Sequence, residues 1–392
     1  MLDLISPYIG PQCEKIWSLK YMLETWAKVL GTFIYYRMRY EHQSVTLEDL
    51  SLVELTDENV KLWSHLNDYY KHDIHAFLEL MEYIFQDLDI GKYYAGLTSS
   101  DLKDTAYSLM MRDSINIIRE SLNLCRHELT NLGLYYSEKT MLIRTHGKFA
   151  EEISVSSLFE NWNEMFLTSQ LNLGSHIYYG KFNGSVGESK YFQKQDLRMI
   201  EKTLYSLSLE KENISTQIIS RDLYQTYFNN IAILAGSIHK IVQDLRLMQI
   251  EGVDELITYK SPHQRGSSSM PHKVNPVLEE RICGLTNLII SLCNSLYSTI
   301  PLWNYRDISH SAHEKITCSI IFGTMEYCLD SLRGLLKNLQ LNMKKIDQVK
   351  IEFGEKCQSQ KRAIRAIQEG QSRDEAFAQA EETTYLYDVT NF

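Results

Sequence analysis

The placement of proline constrains this chain more than any other feature. All six prolines lie at positions 7, 11, 262, 271, 276 and 301. None falls between Cys13 and Ser261, and none follows Pro301. Proline removes an amide donor and clashes with the preceding helical turn, so its exclusion over such distances permits long helices. Apolar periodicity argues that they form. Ile231, Leu234, Ile238, Ile241, Leu245 and Met248 recur at steps of three and four. Leu278, Ile282, Leu285, Ile289, Leu292 and Leu296 do the same, as do Ile321, Met325, Cys328, Leu332, Leu335 and Leu339. Three such seams predict an all-α fold built on a bundle of long helices packed at shallow angles. Strand patterns are scarce.

Two polar stretches interrupt the helical pattern. Tyr178 to Lys190 holds three glycines and is expected to be a loop or small hairpin. Glu251 to Pro276 joins two of the long helices. The charged stretch from Ile346 to Phe392 reads as a small helical appendix, with a helix expected over Asp374 to Glu382. Paired tyrosines (Tyr35-Tyr36, Tyr69-Tyr70, Tyr93-Tyr94, Tyr135-Tyr136) are expected to pack between helices, hydroxyls at the edge.

With 392 residues there is room for two or three domains. A net charge of -10 weighs against nucleic acid as a partner, because phosphate backbones call for a basic surface. The seven cysteines are odd in number, scattered and without a C-x-x-C pair, which suits a reducing cytoplasm better than a disulfide scaffold or zinc site. Met1 to Gly10 contains Asp3 and no basic residue, so it is not expected to be a signal peptide. No apolar run reaches the length of a membrane span, so no membrane partner is expected.

Three clusters carry chemistry. The first is Gly266-Ser267-Ser268-Ser269-Met270-Pro271-His272-Lys273-Val274-Asn275-Pro276, where small residues are joined to an ammonium and an amide. Such a loop can close on a substrate and deliver those groups together. The second, Gly96-Leu97-Thr98-Ser99-Ser100-Asp101, precedes an expected helix. Its hydroxyls can cap that helix or present donors to a carboxylate at the helix N-terminus, and both uses stay open. The third is Arg144-Thr145-His146-Gly147, whose histidine is suited to protonating a leaving group. His310, His313 and Glu314 share a helix face, but no zinc-type spacing accompanies them, so neither metal nor cofactor is expected.

The run G-S-S-x-M-P-x-K-x-N-P resembles the signature loop of the fumarase/aspartase superfamily. T-S-S-D, R-T-H-G and Ser215-Thr216-Gln217 stand before it in superfamily order. Finer features resemble the adenylosuccinate lyase family: His72-Asp73-Ile74-x-Ala76-Phe77, Gly96 to Ala106, Leu302-Trp303, Arg306 to Ser311, Ser359-Gln360 and Ser372 to Ala376. The resemblance covers nearly the whole chain. It implies three helical domains, placed at 1–97, 98–345 (with the signature loop at 261–276) and 346–392. It also implies a homotetramer with a shared helical core, in which each site draws residues from three subunits.

By the same resemblance Ser267 is the general base and His146 the proton donor to the leaving nitrogen. Lys273, Asn275, Thr98, Ser99 and Thr145 bind the succinyl carboxylates of a small N-succinyl substrate. Tyr8, His72, Asp73, Gln217, Arg306 and Ser311 match substrate-binding positions, with Glu280, Arg281 and Lys315 in support. The pattern departs from the family at four places. Ser6-Pro7-Tyr8 lacks the family's Arg before Tyr, Tyr94 stands where His is common, and Lys315 replaces an Arg. Ala150 to Ser154 replaces an A-x-P-x-T-like segment, and the third domain is short. Residues for the succinyl half survive while those for a nucleotide phosphate are partly changed. Fumarate elimination follows from this pattern, and the resemblance implies adenylosuccinate and the related succinyl-carboxamide purine precursor as its substrates. The alternatives are a paralogue acting on another N-succinyl compound and a non-catalytic structural homologue.

Overall fold

The computed structural model describes residues 2–257, 269–270 and 272–390, with side chains at all of these except 2, 194, 195 and 383–390. Helices α1 (Leu2–Ile5) and α2 (Pro11–Ile16) precede α3 (Leu19–Tyr40), α4 (Leu47–Ser51), α5 (Asp57–Tyr70), α6 (Asp73–Ile84) and α7 (Ile90–Tyr94). The long helix α8 (Ser99–Tyr135) leads to strands β1 (Thr140–Thr145) and β2 (Lys148–Ser154) and to α9 (Val155–Gly174). Then follow β3 (Tyr179–Gly180), α10 (Lys194–Ser206), β4 (Glu210–Lys211) and α11 (Arg221–Met248). The remaining helices are α12 (Val277–Ser295), α13 (Ser309–Lys337), α14 (Met343–Phe353), α15 (Ser359–Gln368) and α16 (Arg373–Thr390). No helix of the described residues is long and apolar enough to cross a membrane.

The sequence seams lie on α11, α12 and α13. On α11, Ile231, Leu234, Ile238, Ile241, Leu245 and Met248 are all buried. On α12, Ile282 and Ile289 are buried while Leu278, Leu285 and Leu292 are only half-buried. Side-chain caps mark several helix starts. The Ser18 hydroxyl accepts from the Tyr21 amide at α3, and Thr56 and Asn59 form a reciprocal capping box at α5. The helix expected over 374–382 lies inside α16.

The contacts divide the chain into two compact units. Residues 1–122, 169–236 and 285–329 form the first, and 123–168, 237–284 and 330–392 the second. The core of the first unit gathers Leu23, Trp26, Phe33, Phe77, Leu80, Leu102 and Ile200. Trp26 meets Phe77 edge to face, with centroids 5.5 Å apart. Gly31 lets α3 pass close to α4, because a Cβ there would lie 1.8 Å from the Leu50 carbonyl oxygen. In the second unit, Leu142 packs with Val349 and Cys357, flanked by Phe149 and Phe353 at 4.8 Å. None of the seven cysteines forms a disulfide, and all are buried.

The hairpin and the tyrosine pairs depart from expectation. The β1–β2 hairpin departs from the all-helical pattern; β1 is short with its apolar residues consecutive, so alternation does not separate it from a helix, and β2 carries charge on both faces. Tyr178 to Lys190 takes the loop form of the two expected, apart from Tyr179 and Gly180, which pair in parallel with Glu210 and Lys211. The tyrosine pairs pack only in part, with Tyr93 and Tyr136 buried but Tyr69 and Tyr135 exposed. Adjacent helical residues do not share a face, so both members of a pair rarely reach one core.

Candidate functional site

In the first unit, residues from three distant stretches line one cavity of about 400 Å³. His72 and Asp73 come from the start of α6, Ser99 from the start of α8, and Arg306, Ser311 and Lys315 from α13 and the turn before it. Lys71 and Lys103 add two further cations. The His72 Nδ1 accepts the His75 amide at 3.3 Å, capping α6. That frees Asp73 to accept Lys103 Nζ at 2.6 Å, with Lys315 Nζ at 3.8 Å. Burial works against the Asp73 carboxylate, but the charge and hydrogen bond of Lys103 outweigh it and hold its pKa below the usual range. Burial and the neighbouring Lys103 charge lower the pKa of Lys315. One carboxylate thus answers two ammoniums, leaving positive charge for an anion.

Arg306 is fixed from the side. Its guanidinium donates to Gln217 Oε1 at 2.5 Å, and Gln217 Nε2 donates to the Ser185 carbonyl at 3.0 Å. Ser215 in the same loop accepts from Asn183 Nδ2 at 2.7 Å. The start of α8 is set by Asp101, which accepts from the Thr98 amide, the Asn183 and Gly184 amides and Lys181 Nζ. Asp101 and Lys181 are both fully buried, so Thr98 and Ser99 stand on a rigid pedestal. Tyr8 lies elsewhere in this unit, its ring edge-on to Tyr327 at 6.0 Å.

Beneath the cations lies a buried network that the sequence reading missed. Arg221, at the start of α11, donates to Asp104 Oδ2 at 2.8 Å and to Glu314 Oε1 at 2.8 Å. Burial opposes both carboxylates; the Arg221 charge wins at Asp104, which is held low, but not at Glu314, which is raised. His310 is 5 % exposed, and burial followed by the Arg221 charge pushes its pKa down to about 4. Its imidazole is neutral at physiological pH. His313 points to a different neighbourhood, with Nε2 2.9 Å from Ser295 Oγ.

The second unit holds the other motifs. Thr145 pairs with Lys148 across the hairpin, so His146 and Gly147 alone form the turn. Their φ angles are +53° and +74°, the pattern of a type I′ turn, which matches the twist of the flanking strands. His146 is exposed at the tip. Arg144 is anchored by Glu255 at 2.8 Å and lies over the Phe149 ring at 4.2 Å. Lys273 is exposed and its amide donates to the Met270 carbonyl at 3.0 Å, while Asn275 is half-buried just before α12. Glu280 and Arg281 are exposed on the first turns of α12, and it is their neighbour Glu279 that is buried, accepting Gln249 Nε2 at 3.0 Å. Ser267 lies outside the described residues.

A family profile described as "Lyase" matches residues 57–290. The adenylosuccinate lyase of Synechocystis sp. is 30% identical over 387 residues, covering 95% of this chain and 86% of that protein. The adenylosuccinate lyase of Aquifex aeolicus is 32% identical over 339 residues, covering 85% and 74%. This chain belongs to the adenylosuccinate lyase family. Solved structures agree on the superfamily fold. 3-Carboxy-cis,cis-muconate lactonizing enzyme from Pseudomonas putida superposes with a TM-score of 0.84 at 18% identity, covering 100% of this chain and 89% of that one. Fumarate lyase from Mesorhizobium sp. BNC1 gives 0.77 at 16%, covering 97% and 86%.

Two of the departures from the family pattern fall in the first unit's cavities or beside them. Lys315 lines the cationic cavity as a point charge where the family has a planar fork. Tyr94 is half-buried, and burial raises its hydroxyl pKa far above neutrality, so it stands as a protonated hydrogen-bond donor.

Proposed function

We propose that this member of the family eliminates fumarate from adenylosuccinate, leaving AMP, and from the corresponding succinyl-carboxamide purine precursor. The observation that carries this reading is the convergence of His72-Asp73, Ser99 and Arg306 to Lys315 on one cavity with surplus positive charge. Three motifs far apart in sequence meet where an anionic substrate would need them.

In the proposed β-elimination Ser267 removes the proton from the carbon next to a succinyl carboxylate. The electron pair forms the carbon–carbon double bond as the carbon–nitrogen bond breaks, and His146 protonates the departing nitrogen. A free serine is too weak a base, so its alkoxide must be stabilised by nearby donors. Lys273, Asn275, Thr98, Ser99 and Thr145 would hold the carboxylates, where negative charge grows in the transition state. Arg306, Ser311 and Lys315 would hold the far end of the substrate, supported by His72, Asp73, Gln217 and Tyr8; Glu280 and Arg281 would steady the signature loop. The functional unit in this reading is a homotetramer, with sites shared between subunits.

A second reading, a paralogue acting on another N-succinyl amine, is favoured by Lys315 and Tyr94. Both replace groups suited to a nucleotide phosphate or to proton transfer.

Fumarate release from adenylosuccinate decides between them. Ser267→Ala and His146→Ala should each lower turnover by roughly 10²–10⁴-fold, because base and acid act in the chemical step. Near-native turnover in either variant removes that residue from its role. Fumarate from another N-succinyl amine, and none from adenylosuccinate, selects the second reading.

A further inference from the structure

A second cavity of about 340 Å³ adjoins the cationic one in the first unit, sharing Lys103, Arg306 and Lys315 with it. Four aromatic rings, Trp17, Trp26, Trp63 and Tyr107, form one part of its wall beside Met22, and the ion-paired Asp104, Arg221 and Glu314 form another. A cavity of about 150 Å³ suffices for benzene, so this one admits a substituted ring. Two polar groups on its wall are left unsatisfied. His310 is nine-tenths buried, and its Nδ1 has no hydrogen-bond partner among the described residues. Arg306 uses its terminal nitrogen on Gln217, but its buried Nε has no partner among the described residues either. Orphaned buried polar atoms are rare in folded proteins and call for an occupant.

The occupant's chemistry follows from these groups. Nε of Arg306 can only donate, and a neutral imidazole offers one bare nitrogen and one N–H. A hydroxyl satisfies both at once, accepting from the guanidinium and donating to the bare nitrogen. The aromatic walls favour a flat ring, and the shared lysines favour an anion. We propose that this cavity is a ligand pocket for a hydroxylated aromatic acid. The ring lies among the three tryptophans, the hydroxyl meets His310 and Arg306, and the carboxylate reaches Lys103 and Lys315. Because Arg306 and Lys315 serve both cavities, such a ligand competes with an anionic substrate.

Three of the five tryptophans of the chain line the cavity, so its filling reads directly in tryptophan fluorescence. Full-length protein is titrated with 4-hydroxybenzoate, with benzoate and with inorganic phosphate. The expected result is saturable quenching by 4-hydroxybenzoate, about fivefold or more tighter than by benzoate, as a hydrogen bond of ~1 kcal/mol requires. Met22→Phe, which narrows the cavity from its wall, should weaken both aromatic ligands. His310→Phe should erase the difference between them. Absence of saturable quenching by 4-hydroxybenzoate overturns the proposal. So does equal affinity for the two aromatic acids, or the same quenching by phosphate alone. The titration needs no turnover, so it stands or falls separately from the fumarate assay.

Discussion

Glu212 binds one of its carboxylate oxygens to the Ser220 amide at 3.1 Å, and its other oxygen has no hydrogen-bond partner among the described residues. The residue is 4 % exposed, and burial pushes its pKa up to about 7, only partly offset by the Ser220 amide and the charge of Lys181. An unfolded glutamate titrates near 4.5. Between those values the folded chain keeps a proton that the unfolded chain has released, so stability falls as pH rises through this window. At ~1.4 kcal/mol per tenfold change in proton affinity, the loss approaches roughly 3 kcal/mol above pH 7. Glu212→Gln removes that titration. Chemical denaturation at pH 5 and pH 8 should show a smaller stability loss in the variant than in the native chain; identical pH dependence in both would refute the assignment. No sequence pattern marks Glu212, nor Arg221, Asp104 and Glu314. A charged residue at a helix start reads as solvated until three elements are known to bury it. Motif spacing, not environment, singles out Thr98, Ser99, Arg306 and Ser311, of which Ser99, Arg306 and Ser311 line the cationic cavity.

The β1–β2 hairpin shows how a motif's chemistry can be read before its conformation. R-T-H-G was recognisable as a polar site, yet its most informative structural property is the two-residue turn with both φ angles positive. Glycine tolerates this geometry freely, whereas a side chain there costs roughly 1–2 kcal/mol. A Cβ on Gly147 would meet nothing within 4 Å, so the penalty for Gly147→Ala is conformational alone. The variant should lose about 1 kcal/mol in denaturant melts. His146 already bears such strain, and asparagine adopts the left-handed region more readily. His146→Asn should therefore keep or slightly raise stability while it lowers fumarate release by roughly 10²–10⁴-fold. If it instead destabilises the chain as Gly147→Ala does, the imidazole serves the fold and the strain does not mark function. Helices α11 and α13 were legible in advance because proline exclusion and apolar steps agree over many turns. The hairpin was not, since a six-residue β1 with its apolar residues consecutive and a seven-residue β2 with charge on both faces carry little periodic signal.

At the scale of the whole molecule, the seams themselves are unequal. The α11 seam is buried within the chain, but α12 leaves Leu278, Leu285 and Leu292 half-open, and Leu288 is exposed beside them. On α13, Ile316 is 63 % exposed. Long helices with one apolar row satisfied and another open are suited to pack against further helices, and a second copy of the chain supplies them symmetrically. The proline-free stretches made the helices legible, but periodicity could not say which rows are covered within one chain. The proposed homotetramer turns this into a measurement. Sedimentation of the native protein should give a species near four times the 45.7 kDa chain. Placing a charge on the open row, as in Leu288→Glu with Ile316→Glu, should shift the population toward smaller species while the helical circular dichroism is kept. Fumarate release should fall in parallel, because sites that borrow residues from neighbouring subunits cannot form in a separated chain. A variant that dissociates yet retains full turnover would show that one chain completes its own site. Native protein sedimenting at the mass of a single chain would remove the assembly altogether, and the open rows would then need another partner.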